Sequence, residues 1–282
     1  MRRFHRTFTT ILPMPPPSRA QVAVLPCPDR GHTLGFTDEP PQNPLDESWY
    51  GACKMALEWS FAAVLLMFTA PIIFLAGIAV KLTSPGSIFY SQTRVGKSGK
   101  LFTIYKIRTM AHNCERKSGA KWATVNDPRV TRLGAVLRKT HLDELPQLIN
   151  VLRGEMSLVG PRPERPEFLP ALQKAIPHYR DRLLVRPGVT GVAQVQLPAD
   201  TDLDSVRRKL AYDLYYVHNA TFWLDLRLVL CTAIHVLGVP YHVISRVFFL
   251  PGRDIVEAAY HARVGAMETE ELAPVVAVQM AQ

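Results

Sequence analysis

From Trp59 to Val80 the chain reads "WSFAAVLLMFTAPIIFLAGIAV", 22 residues without a charge. At about 1.5 Å per residue such a helix covers a hydrocarbon core of about 30 Å. An ordinary spanning helix is one reading. Pro71, near the middle, removes a backbone hydrogen bond and clashes with the preceding turn, at about 3 kcal/mol in a water-soluble helix. Membrane helices tolerate proline, so the flanks matter more. Lys54 precedes the segment, and Lys81, Arg94, Lys97 and Lys100 follow it. Basic residues mark the cytoplasmic side, and here both ends carry them. That pattern predicts a re-entrant helix over 59–80, broken at Pro71, which enters and leaves by one face.

Other patterns punctuate the rest of the chain. "LFTIYKIRTM" alternates apolar and polar residues as a strand does, and "GKSGK" before it predicts a hairpin turn. The Gly-Lys-Ser in "SQTRVGKSGK" invites a phosphate-binding loop, but Ser91 stands where that pattern needs glycine, and no helix is predicted to follow. From Val130 to Val151, Leu133, Val136, Leu137, Leu145, Leu148 and Ile149 recur at helical spacing. Thr140 is placed to cap a new helix with Asp143 and Glu144 in its first turn. "YDLYYVHNATFWLDLRLVL" (212–230) mixes tyrosines, Trp223 and leucines with few charges, which fits a helix lying in a membrane interface or an ordinary core helix. The first fifty residues show no period and hold nine of the 23 prolines. Residues 1–50 are expected to be disordered, without a signal-peptide core, and are open to reading as an over-long start.

Composition narrows the partners. A formal charge of +9 with 48% hydrophobic residues suits an anionic membrane surface or phosphate-bearing substrates. Nucleic acid would also suit that charge, but no helix-turn-helix, zinc-finger or aromatic RNA-binding motif is present, so none is expected. Cys27, Cys53, Cys114 and Cys231 are scattered, which argues against a metal cage or disulfide framework.

The candidate chemistry lies around Asp143 and Glu144. As first-turn acids they would be favoured by a helix N-terminus, and that structural reading stands beside a functional one. Arg138 and Lys139 precede the pair, Arg162 and Arg165 follow it, and Lys106 and Arg108 add donors upstream. Pro161 and Pro163 restrict the backbone on either side of Arg162, as a rigid phosphate-binding fork requires. A carboxylate among such cations is expected to stay ionised, able to ligate Mg²⁺ or to act as a nucleophile.

Four stretches now read together: "SPGSIFYSQTRVGKSGKLFTIYKIRTM", "NDPRVTRLGAVLRKTHLDELPQLINVLRGEMSLVGPRPERPEF", "RPGVTGVAQV" and "KLAYDLYYVHNATFWLDLRLVL". In this order, over 54–238, they resemble the bacterial sugar transferases, the monotopic polyprenyl-phosphate phosphoglycosyl transferases. The resemblance implies transfer of a sugar 1-phosphate from a UDP-sugar to a polyprenyl phosphate, through an aspartyl intermediate and with release of UMP. It implies Asp143 as nucleophile and Mg²⁺ ligand, and Glu144 as the group that positions or deprotonates the lipid phosphate. Arg138, Lys106 and the Pro161-Arg162-Pro163 element would bind substrate, the last on the uridine nucleotide. The cofactor implied is Mg²⁺. The location implied is the cytoplasmic face of the bacterial inner membrane, among membrane lipids, with a homodimer left open. The fold expected is an α+β, membrane-associated monotopic domain over 51–240, with a re-entrant N-terminal helix, interfacial helices and a C-terminal tail over 241–282. The alternative is a catalytically idle scaffold of the same fold. Three departures stand out: Lys54-Met55-Ala56-Leu57-Glu58 lacks the family's usual arginine, which puts its charge pairing in question; His141 replaces a usual Ser; and Val192 replaces a common Trp.

Overall fold

The computed structural model describes residues 45, 48–112, 114, 127–198, 202–236 and 238–264. The expectation for 1–50 therefore lies almost wholly outside the described residues. Helix α1 (Trp49–Thr83) begins at Ser48, whose hydroxyl accepts the Gly51 N–H at 2.9 Å. It is 35 residues long, about 52 Å at 1.5 Å per residue. Pro71 lies inside it, and where a break is expected the helix is continuous. Proline deletes a single N–H, and the turns on either side keep theirs.

One side of α1 rests on the domain along its whole length. Tyr50, Lys54, Glu58, Ala62, Leu66, Thr69, Ile73, Gly77 and Val80 follow one another at intervals of three or four residues, and all are buried or half-buried. The opposite side is apolar and exposed, with Met67, Phe68, Phe74, Leu75 and Leu82 among its residues. Among the described residues, α1 is the one helix long and apolar enough to cross a membrane.

The predicted hairpin is present. Strands β1 (Phe89–Val95) and β2 (Leu101–Ile107) pair antiparallel, from Phe89 opposite Ile107 to Val95 opposite Leu101. Their turn needs left-handed backbone at Ser98 (φ 55°) and Gly99 (φ 76°), and the Gly96 N–H donates to the Lys100 carbonyl at 2.7 Å. A strand follows the Gly-Lys-Ser, not a helix, so no phosphate-binding loop forms.

The chain then runs through α2 (Arg132–Lys139), a 3-10 turn (Leu142–Gln147), α3 (Leu148–Leu152), β3 (Ser157–Val159), α4 (Leu169–Ala175) and a second 3-10 turn (Tyr179–Leu184). Strand β4 (Gly188–Thr190) and helices α5 (Val192–Gln196), α6 (Leu203–Asn219), α7 (Phe222–Val236) and α8 (Tyr241–Val247) follow. A last helix covers 253–264. β3 and β4 pair in parallel, Ser157 with Gly188 and Val159 with Thr190. Parallel strands need a crossover, and this one carries Pro161-Arg162-Pro163, α4 and the second 3-10 turn. Here the backbones touch: a Cβ on Gly188 would overlap Gly160.

The segment 212–230 divides at Ala220. Its first part belongs to α6, where Tyr212 and Tyr216 are buried in the main core, so the core reading holds there. Its second part, in α7, turns Phe222, Trp223, Leu226 and Leu230 outward. Beyond 240, where a tail is expected, Ile244 and Val256 are buried in the same core cluster. Val192 is also enclosed in that core. Cys53, Cys114 and Cys231 are free thiols.

Candidate active site

Thr140 does not open a helix. Its N–H and hydroxyl donate to the Val136 carbonyl at 3.0 and 2.9 Å, so it closes α2. His141 then takes a left-handed conformation (φ 54°) and begins the 3-10 turn that holds Asp143 and Glu144 in its first turn. Pro146 lies inside that turn, and only six residues belong to it. The expected first-turn placement is therefore met by a short 3-10 turn, whose dipole is slight beside that of a long helix.

Two cations reach this turn from separate elements, and a third stands near it. Lys106, near the end of β2, donates to Glu144 Oε1 at 2.6 Å, and Arg162, beyond β3, donates to the same oxygen at 2.9 Å. Arg138, in the last turn of α2, donates through Nε to Thr109 Oγ1 at 2.9 Å. Gly134 allows that contact, because a Cβ there would overlap the Thr109 backbone. Pro161 and Pro163 flank Arg162 as read from the sequence. Two further expected donors line the same cavity but bond away from the pair: Arg108 donates to the Ser84 carbonyl at 2.9 Å and Oγ at 2.8 Å at the end of α1, and Arg165 pairs with Glu167 at 3.5 Å.

The pKa values of the two carboxylates move in opposite directions. Burial opposes ionisation of Glu144, but Arg162 and Lys106 outweigh it and hold its carboxyl well below the ordinary value. Asp143, 7% exposed, has no side-chain hydrogen bond or ion pair among the described residues. Burial and then the Glu144 charge push its pKa up to about 6, against the pull of Lys106, Arg138 and Arg162. The carboxylate expected to stay ionised among cations has a raised pKa, because Lys106 and Arg162 close on its neighbour instead. Burial lowers the pKa of Lys106, and Glu144 raises that of Arg162.

All of these groups line one open cavity of about 1390 Å³. Lys106, Arg138, Asp143, Glu144 and Arg162 form its charged part. Phe61 and Leu65 of α1 line it too, with Leu148, Val229, Ala233 and Val236. Among the described residues there is no group of three or more His, Cys, Asp or Glu able to cage a metal ion. The unpaired Asp143 carboxylate does fit Mg²⁺ that arrives on phosphate oxygens, which needs only one or two protein carboxylates.

Residues 49–239 match the family model for bacterial sugar transferases. The chain belongs to that family. It is 42% identical over 183 residues, 65% of this chain and 43% of the other, to the UDP-N-acetylgalactosamine-undecaprenyl-phosphate N-acetylgalactosaminephosphotransferase of Aeromonas hydrophila. It is 43% identical over 194 residues, 68% of this chain and 72% of the other, to the UDP-glucose:undecaprenyl-phosphate glucose-1-phosphate transferase of Caulobacter vibrioides. The exopolysaccharide production protein PSS of Rhizobium leguminosarum bv. phaseoli is 41% identical over 174 residues, 60% of this chain and 87% of that protein. The chain spans about two fifths of the Aeromonas relative and of a Xanthomonas campestris glucose-1-phosphate transferase (43% and 41%).

In this bacterial sugar transferase the charge pairing at the start of α1 is intact despite the missing arginine. Lys54 donates to Glu58 at 2.7 Å and pairs with Asp225 of α7. Asp225 also accepts from the hydroxyls of Tyr50 and Tyr216, and Glu58 accepts from Ser157 Oγ at 2.7 Å and the Val159 N–H at 3.3 Å. His141 lines the cavity, 5.6 Å from the His235 ring, which stacks on Tyr241 at 3.6 Å. Burial lowers the His141 pKa and favours the neutral ring. Sequence reasoning marks His141 only as a departure and misses Tyr241. No local pattern links it to a site about a hundred residues earlier.

Proposed function

We propose that this bacterial sugar transferase moves a sugar 1-phosphate from a UDP-sugar to a polyprenyl phosphate, as the first step of a bacterial polysaccharide or glycoconjugate. A carboxylate oxygen of Asp143 attacks the sugar-linked phosphorus, and the phosphoanhydride bond to UMP breaks. The resulting aspartyl phosphosugar divides one displacement into two. An oxygen of the polyprenyl phosphate then attacks the same phosphorus, frees the Asp143 carboxylate and leaves polyprenyl-diphosphate-sugar.

The observation that carries this reading is the unequal pair. Asp143 is buried beside the cavity without a cation of its own, and its pKa of about 6 leaves it mostly ionised yet nucleophilic at neutral pH. Glu144, held far below the ordinary value, is too weak a base to take a proton there. Its role is to fix Lys106 and Arg162 where phosphate charge develops. Arg162 and its two prolines bind the nucleotide, and Arg138 faces the transferred phosphate. Asp143 would hold Mg²⁺, which would supply charge neutralisation for the leaving nucleotide. The apolar wall of Phe61, Leu65, Val229 and Ala233 suits the first isoprene units of the acceptor.

Both ends of α1 dock on the same body, one through Lys54 and Asp225 and the other through Val80 against Ile107 and Leu137. That arrangement supports placing both flanks on the cytoplasmic side of the inner membrane. The deciding experiment incubates the purified chain with UDP-sugar labelled in the sugar phosphate, without lipid. Label on the Asp143 peptide with stoichiometric UMP is the expected result. Label elsewhere moves the nucleophile, and neither label nor UMP leaves a scaffold.

A further inference from the structure

Residues 161–164 form neither helix nor strand, yet each of their four carbonyls has its own donor. The Gly188 N–H reaches the Pro161 carbonyl at 2.9 Å, and the Val95 N–H reaches that of Glu164 at 3.0 Å. The two between are held by guanidinium groups: Arg182 donates to the Arg162 carbonyl at 2.7 Å, and Arg94 to the Pro163 carbonyl at 3.0 Å. Arg182 is almost fully buried and is itself held, donating to the Tyr179 hydroxyl at 2.7 Å and pairing with Asp213 of α6 at 2.7 Å.

Proline fixes its own φ and restricts the residue before it, but it leaves the direction of each carbonyl to ψ. The carbonyl direction of Arg162 sets how the turn continues. Arg162 and Glu144, in turn, share a hydrogen bond that brings this loop to the carboxylate pair. We propose that Arg182, seated on Asp213, and Arg94, on the next carbonyl, are positioning residues that set the backbone of Arg162 and so aim its guanidinium at Glu144 and the substrate phosphate. This rests on the transferase reading for its kinetic consequence, though not for the clamp itself. A planar fork can bond the Arg162 carbonyl, Tyr179 and Asp213 together, whereas an ammonium group that keeps the charge offers no such fork.

Arg182→Lys is therefore the test, with two readouts. Amide exchange of the 160–168 peptide should quicken while the melting temperature of the whole chain moves only slightly. KM for UDP-sugar should rise about tenfold, with a smaller change in kcat. In an Arg162→Ala background the same substitution should add almost nothing, because the residue it aims is gone. Arg94→Lys should repeat both effects and serves if Arg182→Lys fails to fold. Unchanged exchange in the peptide, or kinetic losses that multiply with Arg162→Ala, would overturn the proposal. A wild-type chain that releases no UMP would sink the transferase reading instead, and the exchange measurement would still decide the clamp.

Discussion

At Glu144 one carboxylate oxygen receives both Lys106 and Arg162. Glu144→Gln keeps the shape but leaves two cations facing a neutral group. Breaking a buried pair costs roughly 3–5 kcal/mol. Because the Arg162 side chain is 39% exposed, solvent offsets part of that. A loss of about 2 kcal/mol in chemical unfolding is expected, together with severely slowed turnover. Wild-type stability in both would count against the pair as the organiser of the site. Asp143 gives the opposite sign. Its folded pKa of about 6 lies above the unfolded 3.8, so the native state binds the proton more tightly. Its contribution to stability is full below the unfolded value and is lost as pH rises through about 6. Asp143→Asn should therefore abolish turnover while raising stability at pH 7, without divalent cations, by up to roughly 3 kcal/mol. Wild-type activity should fall on acidification through about pH 6. A variant less stable than wild type at pH 7 would show that Asp143 is held by partners.

Among the elements, α1 depends on its polar seat as much as on its apolar residues. Lys54 and Asp225 are nearly buried, at 11% and 8% side-chain exposure. Lys54→Met strands Asp225 and Glu58, and a loss of roughly 3–5 kcal/mol is expected in thermal unfolding in detergent. Loss of the exposed Arg253–Glu257 pair should leave the transition unmoved. Topology is checked with cysteines placed before Lys54 and after Lys81, once native thiols are removed. Both should be shielded from an impermeant reagent outside intact cells, and labelling of one alone would establish a spanning helix. The hairpin, the apolar segment, the acid pair and Arg162 were all legible, because each is a local pattern of period, turn chemistry or charge. The 3-10 turn was not: His141 in a left-handed conformation and Pro146 four residues into the turn override a helical spacing that runs straight through them. Nor was the seat of α1, whose partners lie 99 and 171 residues away. The division of 212–230 between core and surface also escaped periodicity, since both halves are helical and apolar.

Across the whole molecule, one cavity joins a charged wall to an apolar one, and the two should be separable in the reaction. Ala233→Trp fills the apolar part. It should spare formation of the labelled Asp143 intermediate and UMP release, and impair transfer to a long polyprenyl phosphate. Equal loss in both half-reactions would place the acceptor chain elsewhere. The seat of α1 bears on how the protein can be handled. A water-soluble version is usually sought by cutting off the apolar segment. A chain shortened to begin at Ser84 would lose the cation facing Asp225, the carboxylate facing Ser157 and the Val159 N–H, and the cover over Ile107 and Leu137. What remains would be an opened core two residues from Pro161. Solubility is better pursued by recolouring the outward side of the helix, at Met67, Phe68, Phe74 and Leu75, with charged residues while the docked stripe is left as it stands.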